Sequence, residues 1–305
     1  PIILPDYVSL QGENQELTIL DAQQTEKVMK IDHSVMNRIL DLTITGGNAS
    51  TDENGYGNVG GGIDISNSNP FLSRLNIIEN NANAGGGIRI YNSSENSLYS
   101  SNLILNNVNI SNNTSSMGGG LYLWQSHPTL NNVTIDNNEA NGTFGEGGGI
   151  ELWYSNPTLN HVSISHNIGK KGGAMYLNLS HPILNNVIIH NNQASDNFYG
   201  CGGIQLCCSG DNYSNPTLNN VTITNNSNNG SSNNDFGGIY FEGDSDEQII
   251  IMNSIIWGNE GISETLNNNS IITYSNIGGG TLGDTNIDSD PYFLDPLNDN
   301  YSFAV

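Results

Sequence analysis

The sequence predicts an all-β chain, a right-handed parallel β-helix of about ten coils with three short strands per coil, the stacked-unit architecture of solenoids. Three observations predict it. The first is a repeat. Aligned on their glycines, GGGIDIS (from Gly60), GGGIRIY (Gly85), GGGLYLW (Gly118), GGGIELW (Gly147), GGAMYLN (Gly172), CGGIQLC (Cys201) and FGGIYFE (Phe236) start 25, 33, 29, 25, 29 and 35 residues apart. A unit of that size and variable length excludes heptads and helical repeats. The second is the period inside a unit. Ile150 and Leu152 alternate with Glu151 and Trp153, and in PTLNHVSISHN Val162 and Ile164 alternate with Ser163 and Ser165. Such alternation marks strands with one face in and one face out. The third is punctuation: Gly-Gly, Ser-Asn-Pro and an Asn pair break each unit, and Gly, Asn and Ser are poor helix fillers.

Each element follows from these. Leu130, Leu159 and Leu184 form one internal column, Val133, Val162 and Val187 a second, and Ile135, Ile164 and Ile189 a third. Coils stacked at the inter-strand spacing make a rod about 45 Å long. Three residues after each column Ile stands an Asn: Asn80, Asn113, Asn138, Asn167, Asn192, Asn226 and Asn259. Asn tolerates the left-handed turn conformation, and its amide can bond the same amide one coil away. The glycines serve the opposite corner, where the chain bends and a Cβ would clash. The organisation expected is one domain over 1–305. Residues 1–59 are opening coils, 60–259 regular repeats and 260–305 degenerate closing coils.

Composition narrows the partners. Seven basic against thirty acidic residues give a net charge of −23. That argues against nucleic acid and anionic membranes, which attract basic patches, and disfavours polyanionic glycans. No apolar run approaches the roughly 20 residues of a membrane span. Pro1–Pro5 lacks the basic start and long apolar centre of a signal peptide. The chain starts in mid-pattern without Met, so it reads as a fragment or processed product. Cys201, Cys207 and Cys208 lie within eight residues, an odd cluster that is no disulfide framework and lacks the ligands of a zinc site. One local disulfide or three buried thiols fit it.

The alternation GG[GA][ILM] with IxxN resembles the repeats of chlamydial polymorphic outer-membrane proteins, with Ile in place of Phe. It is also similar to right-handed β-helix repeat proteins secreted by Bacteroidota and related bacteria. NSIIWGN (Asn253–Asn259), ITYSNIGGG (Ile272–Gly280) and NIDSDPYFLDP (Asn286–Pro296) resemble the end of such β-helices; TILDAQQTEKVMKI (Thr18–Ile31) and LDLTITGG (Leu40–Gly47) match their opening coils. The resemblance implies export to the cell surface or medium, and a group that mixes adhesins, glycan-active enzymes and surface proteins.

The face that asks for a ligand is the outside of the glycine-led strand. Its second outward position holds Tyr91, Trp124 and Trp153 on successive coils, with Tyr122 and Tyr176 at the first. Large aromatics in water expose apolar area that sugar rings can cover. Glu151 stands among them, and the variable loops Glu139–Glu146, Gln193–Gly200 and Ser227–Asp235 would wall the strip. The function expected is therefore an extracellular structural or adhesin-like module that binds glycans there. The alternative is a β-helix lyase or hydrolase on the same face. A hydrolase needs two carboxylates about 5–10 Å apart: Glu151, with Glu139 or Glu146 from a loop. A lyase needs a base and cationic help, which points to Lys170 of the Lys170-Lys171 pair.

Other motifs have plainer readings. Gly55–Gly60 spells GxGxxG, but a strand follows where a dinucleotide site needs a helix. Asp136, Ser165 and His190 follow one another on successive coils, yet Ser stands in the middle where a relay needs His. His127 and His181 take the turn slot that Asn has elsewhere, and His161 replaces an Asn. No cofactor is required. Calcium is possible at acidic loops, with Asp244 and Asp246 or Asp288 and Asp290 as ligands. Open strand edges at both rod ends call for neighbouring domains or subunits.

Overall fold

The computed structural model describes the chain apart from residues 50–57, 94–102, 144, 196–198, 208–212, 231–235, 243–247, 261–269, 280–283 and 304–305, and the side chains of 302–303. It is a parallel β-solenoid. Among the described residues, strands stack coil on coil into three sheets, one of nine strands, one of fifteen and one of six. The first sheet holds the glycine-led strands, such as Leu121–Trp124, Ile150–Trp153 and Met175–Asn178. Eight turns of chain join its nine strands, where the repeat leads one to expect about ten coils. The difference lies at the ends: Ile19–Asp21, Ile271–Thr273 and Asn276–Ile277 join only the second sheet.

The columns form as the alternation requires. Leu105, Leu130, Leu159 and Leu184 are consecutive partners, as are Ile110, Ile135, Ile164 and Ile189. The Val column is buried with them in one continuous core. On the first sheet Ile150 and Leu152 fill the other side of that core between Leu121 and Leu123 before and Met175 and Leu177 after.

Corners are closed by side chains. Each buried Asn at the end of the second sheet donates its amide N–H to the amide oxygen of the next: Asn113 to Asn138 at 3.0 Å, Asn138 to Asn167 at 2.9 Å, Asn167 to Asn192 at 2.9 Å. The same oxygen also accepts a backbone N–H from the preceding coil, as Asn167 does from Asn138 at 2.9 Å. The left-handed residue is not the ladder Asn, however, but the one before it: Asn112, Asn137, His166 and Asn191 have φ between 51° and 56°. The residue that turns the chain thereby leaves its neighbour's amide free to point inward. A second internal ladder of serines, Ser126, Ser155, Ser180 and Ser214, links hydroxyls to backbone N–H groups at 3.0–3.1 Å.

The glycines are required sterically, but they stand beside the Asn ladder and not at the opposite corner: a Cβ on Gly149 would lie 3.1 Å from Asn167 Nδ2. Gly147 has φ +61°, and a Cβ on Gly148 would lie 2.5 Å from the carbonyl oxygen of Gly173 one coil on. An external turn ladder accounts for two histidines. His127 Nδ1 accepts the backbone N–H of Asn156 at 2.9 Å, and His181 Nδ1 accepts that of Asn215 at 3.0 Å. Asn156 Oδ1 does the same for His181. Imidazole with an unprotonated Nδ1 thus replaces an amide oxygen. His161 keeps the left-handed bend that Asn132 and Asn186 form on either side.

The ladder makes a stability prediction. Asn167→Ala removes the acceptor of two donors, leaving the buried Asn138 backbone N–H unpaired and the Asn138 amide with the Ile110 carbonyl alone, which costs about 2–4 kcal/mol. Asn185 lies in a partly exposed outer row, bonded to Asn160 at 3.1 Å, and Asn185→Ala costs less than about 1 kcal/mol. Urea denaturation of the two variants checks the difference.

Candidate functional site

The parallel register carries the outward side chains of the glycine-led strands into two straight rows. One reads Asp64, Arg89, Tyr122, Glu151, Tyr176, Gln205, Tyr240. The other reads Ser66, Tyr91, Trp124, Trp153, Asn178, Cys207, Glu242. Tyr91, Trp124 and Trp153 are therefore neighbours on three successive coils and all are partly exposed. The Trp124 and Trp153 rings stack at 5.7 Å and 19°, and Tyr154 meets Trp124 edge-on at 5.6 Å. Arg89 lies over Tyr91, 5.2 Å from the ring centre. Asn178 follows Trp153 in the row, so the aromatic run ends beside a short side chain.

The first row does not meet water as alternation alone suggests. Tyr122 is 9% exposed, Tyr176 2% and Glu151 0%. Residues just before the glycine triplets account for this. Glu146 and Lys171 are bridged through their backbones on adjacent coils there, and the Glu146 side chain is hydrogen-bonded to Tyr176 and electrostatically coupled to Lys171. The second row closes the cover from the other side: Trp153 Nε1 donates to Glu151 Oε1 at 2.7 Å.

A polar cluster results, under the strip and beside the tryptophans. Lys171 Nζ bonds Glu242 Oε1 at 2.6 Å, and Gln205 Nε2 donates to Glu242 Oε2 at 3.0 Å. Gln205 Oε1 accepts the backbone N–H groups of Gly172 and Cys201, each at 3.1 Å. Burial drives the titration of the acids. It pushes the Glu146 carboxyl up to about 7, against the pull of Lys171 and a hydrogen bond from Tyr176. It raises Glu151 well above the ordinary carboxylate range, opposed by the Trp153 bond and reinforced by the charge of Glu146. Glu151 Oε2 and Asn178 Oδ1 are buried without a hydrogen-bond partner. Burial also raises the Tyr122 and Tyr176 hydroxyls and lifts the Cys207 thiol to about 11. Cys207 is thus a thiol at neutral pH, not a nucleophile.

At the other end of the strip Asp64 is held by Lys27 at 2.7 Å and Arg89 at 2.7 Å. The structure separates residues that the sequence set side by side. Lys170 points away, its Nζ bonding the carbonyl of Thr143 at 3.1 Å in an exposed position, while Lys171 turns into the cluster. Glu139 sits exposed on the third sheet beside Ile168. Glu146, Lys171 and Glu242 come together with Glu151. The signal for them is positional: each stands either just before a glycine triplet or in the second outward slot. A ring column that sequence reasoning missed flanks the cluster: Phe236 stacks on Tyr240 at 4.1 Å and Tyr240 on Tyr199 at 6.4 Å.

Of the remaining candidates, Asp136, Ser165 and His190 do share one row. Ser165 Oγ donates to Asp136 at 2.7 Å, so the hydroxyl serves a carboxylate that cannot take its proton usefully as a relay base. Asp288 and Asp290 are exposed. Among the described residues no three His, Cys, Asp or Glu side chains group as a metal site. Asp244, Asp246, Cys208 and Gly55–Gly57 lie outside the described residues. Comparison with known protein families finds none that matches the chain, and comparison with curated proteins finds no match.

The buried acid predicts a pH effect. A carboxyl raised in the folded state keeps a proton that the unfolded chain releases above about 4.5. Its contribution is full below that pH and declines as pH rises. Glu151→Gln keeps an acceptor for Trp153 and removes the ionisation. The variant melts roughly 2–4 °C higher than wild type at pH 8.5, the shift from about 1 kcal/mol in a chain of this size, and no higher at pH 4.5. Thermal melts at the two pH values check it.

Proposed function

We propose that this solenoid is an exported, cell-surface structural or adhesin-like module that binds neutral glycans along the Tyr91–Trp124–Trp153 strip. The observation that carries the reading is the register-locked row itself. Three aromatic side chains stand on adjacent coils, partly in water, two of them stacked and braced by Tyr154. Rigid aromatics with little entropy left to lose are effective contact groups. A net charge of −23 disfavours anionic polysaccharides. Export and surface attachment rest on the likeness to the Bacteroidota and chlamydial repeats. The reading requires no cofactor; calcium at the acidic loops is a variable of the test.

A hydrolytic reading has one observation in its favour. Glu146 is partly exposed, its carboxyl is pushed up to about 7, and it acts electrostatically on Glu151. A group poised near the working pH suits general acid catalysis. Against it, Glu151 has no exposure through which to touch a substrate.

One experiment separates the two. Purified protein is run through gels holding neutral polysaccharides, with calcium and with EDTA, and the same mixtures are assayed for reducing ends. The expected result is retardation without products. Trp153→Ala weakens it about 10- to 30-fold, as loss of about 1.4–2 kcal/mol at an aromatic anchor does. Reducing ends that vanish in Glu146→Gln favour the hydrolase. Equal mobility of wild type and Trp153→Ala on every polysaccharide overturns the glycan reading.

A further inference from the structure

The C-terminal hairpin is fastened to the outside of the rod by a network unrelated to the aromatic strip. Its antiparallel strands, Phe293–Asp295 and Asn300–Phe303, are joined by a 3-10 turn over Pro296–Asn298. Asp299 follows the turn in the left-handed conformation, φ +58°. That residue reaches three groups on the second sheet's edge, more than a hundred residues earlier in the chain. Asn191 Nδ2 donates to Asp299 Oδ1 at 2.6 Å, His190 Nδ1 lies 3.5 Å from the same oxygen, and His166 Nε2 lies 3.7 Å from Oδ2. Tyr301 packs on the His190 ring at 4.9 Å and on Phe293 at 5.2 Å, and its hydroxyl accepts from Asn225 at 3.1 Å. Three successive coils are thus strapped by one hairpin.

The donors do not add up with both rings neutral. His166 Nδ1 lies 2.9 Å from Asp136 Oδ1. A carboxylate there calls for a proton on Nδ1, which leaves Nε2 of a neutral ring as an acceptor. Asn191 Nδ2 then faces three acceptor positions: Asp299 Oδ1 at 2.6 Å, His190 Nδ1 at 3.2 Å and His166 Nε2 at 3.3 Å. An amide nitrogen has two hydrogens. One partner stays unserved, or two donors face each other. A proton on His166 Nε2 reduces the acceptors facing Asn191 to two, Asp299 Oδ1 and His190 Nδ1, and sets a positive ring 3.7 Å from Asp299 Oδ2. The imidazolium then stands between two carboxylates, Asp136 from its own sheet and Asp299 from the hairpin.

The geometry points to an acid-reinforced clasp, in which protonation of His166 ties the C-terminal hairpin more tightly to the rod. The titratable groups facing His166 are Asp136, Asp299 and His190, with Tyr301 behind His190. Burial holds the His190 imidazole below its ordinary value, with Asp299 opposing. A positive ring between two carboxylates ties the hairpin more tightly than a neutral one, so docking strengthens as pH falls through the ordinary histidine range.

Hydrogen exchange on the whole chain tests this. Protection factors for the amides of Asn300–Phe303, corrected for intrinsic rates, are followed from pH 8 to pH 5. The expected result is a rise of about two- to fivefold, the range for an ion pair at a partly exposed ring. His166→Gln flattens the profile. Asp299→Asn lowers protection at pH 5.5 to that of His166→Gln, while amides of the buried Ile164 coil keep theirs and report an intact rod. A flat or falling wild-type profile, or a rise that survives His166→Gln, overturns the clasp.

Discussion

One hydrogen bond, between a buried asparagine amide and the same amide one coil on, sets the terms for the whole rod. A primary amide is both donor and acceptor, and the coil above presents an identical group at the same height. The stack is self-complementary and satisfies backbone N–H groups at a corner that water does not reach. A slip by one residue would break the ladder and turn every strand inside out. Register is therefore held at the corner as well as by the apolar columns, and all that stands on the surface inherits it.

The surface rows are that inheritance. Side chains that share a position in the unit become neighbours about 4.8 Å apart, whatever their chemistry. Aromatics so placed stack; acids so placed crowd. In a chain with thirty acidic and seven basic residues, the crowding is relieved where a cation is available. Asp64 has Lys27 and Arg89, and Glu242 has Lys171. Glu151 has the Trp153 indole N–H and a backbone hydrogen bond at Gly118 instead, and burial raises its carboxyl well above the ordinary range. One row thus runs from ion-paired at Asp64 to neutral acid at Glu151 within a few coils.

Much of this architecture is legible in the sequence, because it rests on side chains repeated at fixed positions. The Leu, Val and Ile columns, the Asn ladder and the glycine corner all follow from identity and spacing. The facing of Tyr122, Glu151 and Tyr176 was legible too, but not their burial. Alternation tells which side of a sheet a residue takes, and says nothing about what lies over that side. Glu146, which is hydrogen-bonded to Tyr176 and acts on Tyr122 and Glu151, stands at the end of a loop whose length differs from coil to coil, where no period survives. The same loss of period hides the difference between Lys170 and Lys171. The left-handed position falls one residue earlier than Asn chemistry alone suggests, since the turning residue and the bonding residue divide the work. The strapping hairpin was not legible at all: Asp299 and Asn191 are 108 residues apart, and no local pattern joins them.

The inter-coil bonds also have a mechanical meaning. Backbone and ladder bonds alike run along the rod, each joining a coil only to its neighbours. A load that compresses or bends the rod is shared across all three sheets at once. A load on a chain end meets only the bonds of the outermost coil and peels them in turn. Each coil freed lets out 25 to 35 residues of chain while the rod shortens by a single strand spacing of about 4.8 Å. Such a body is stiff as a strut and long-stroked as a tether, and the strap across three coils would make several of them let go together.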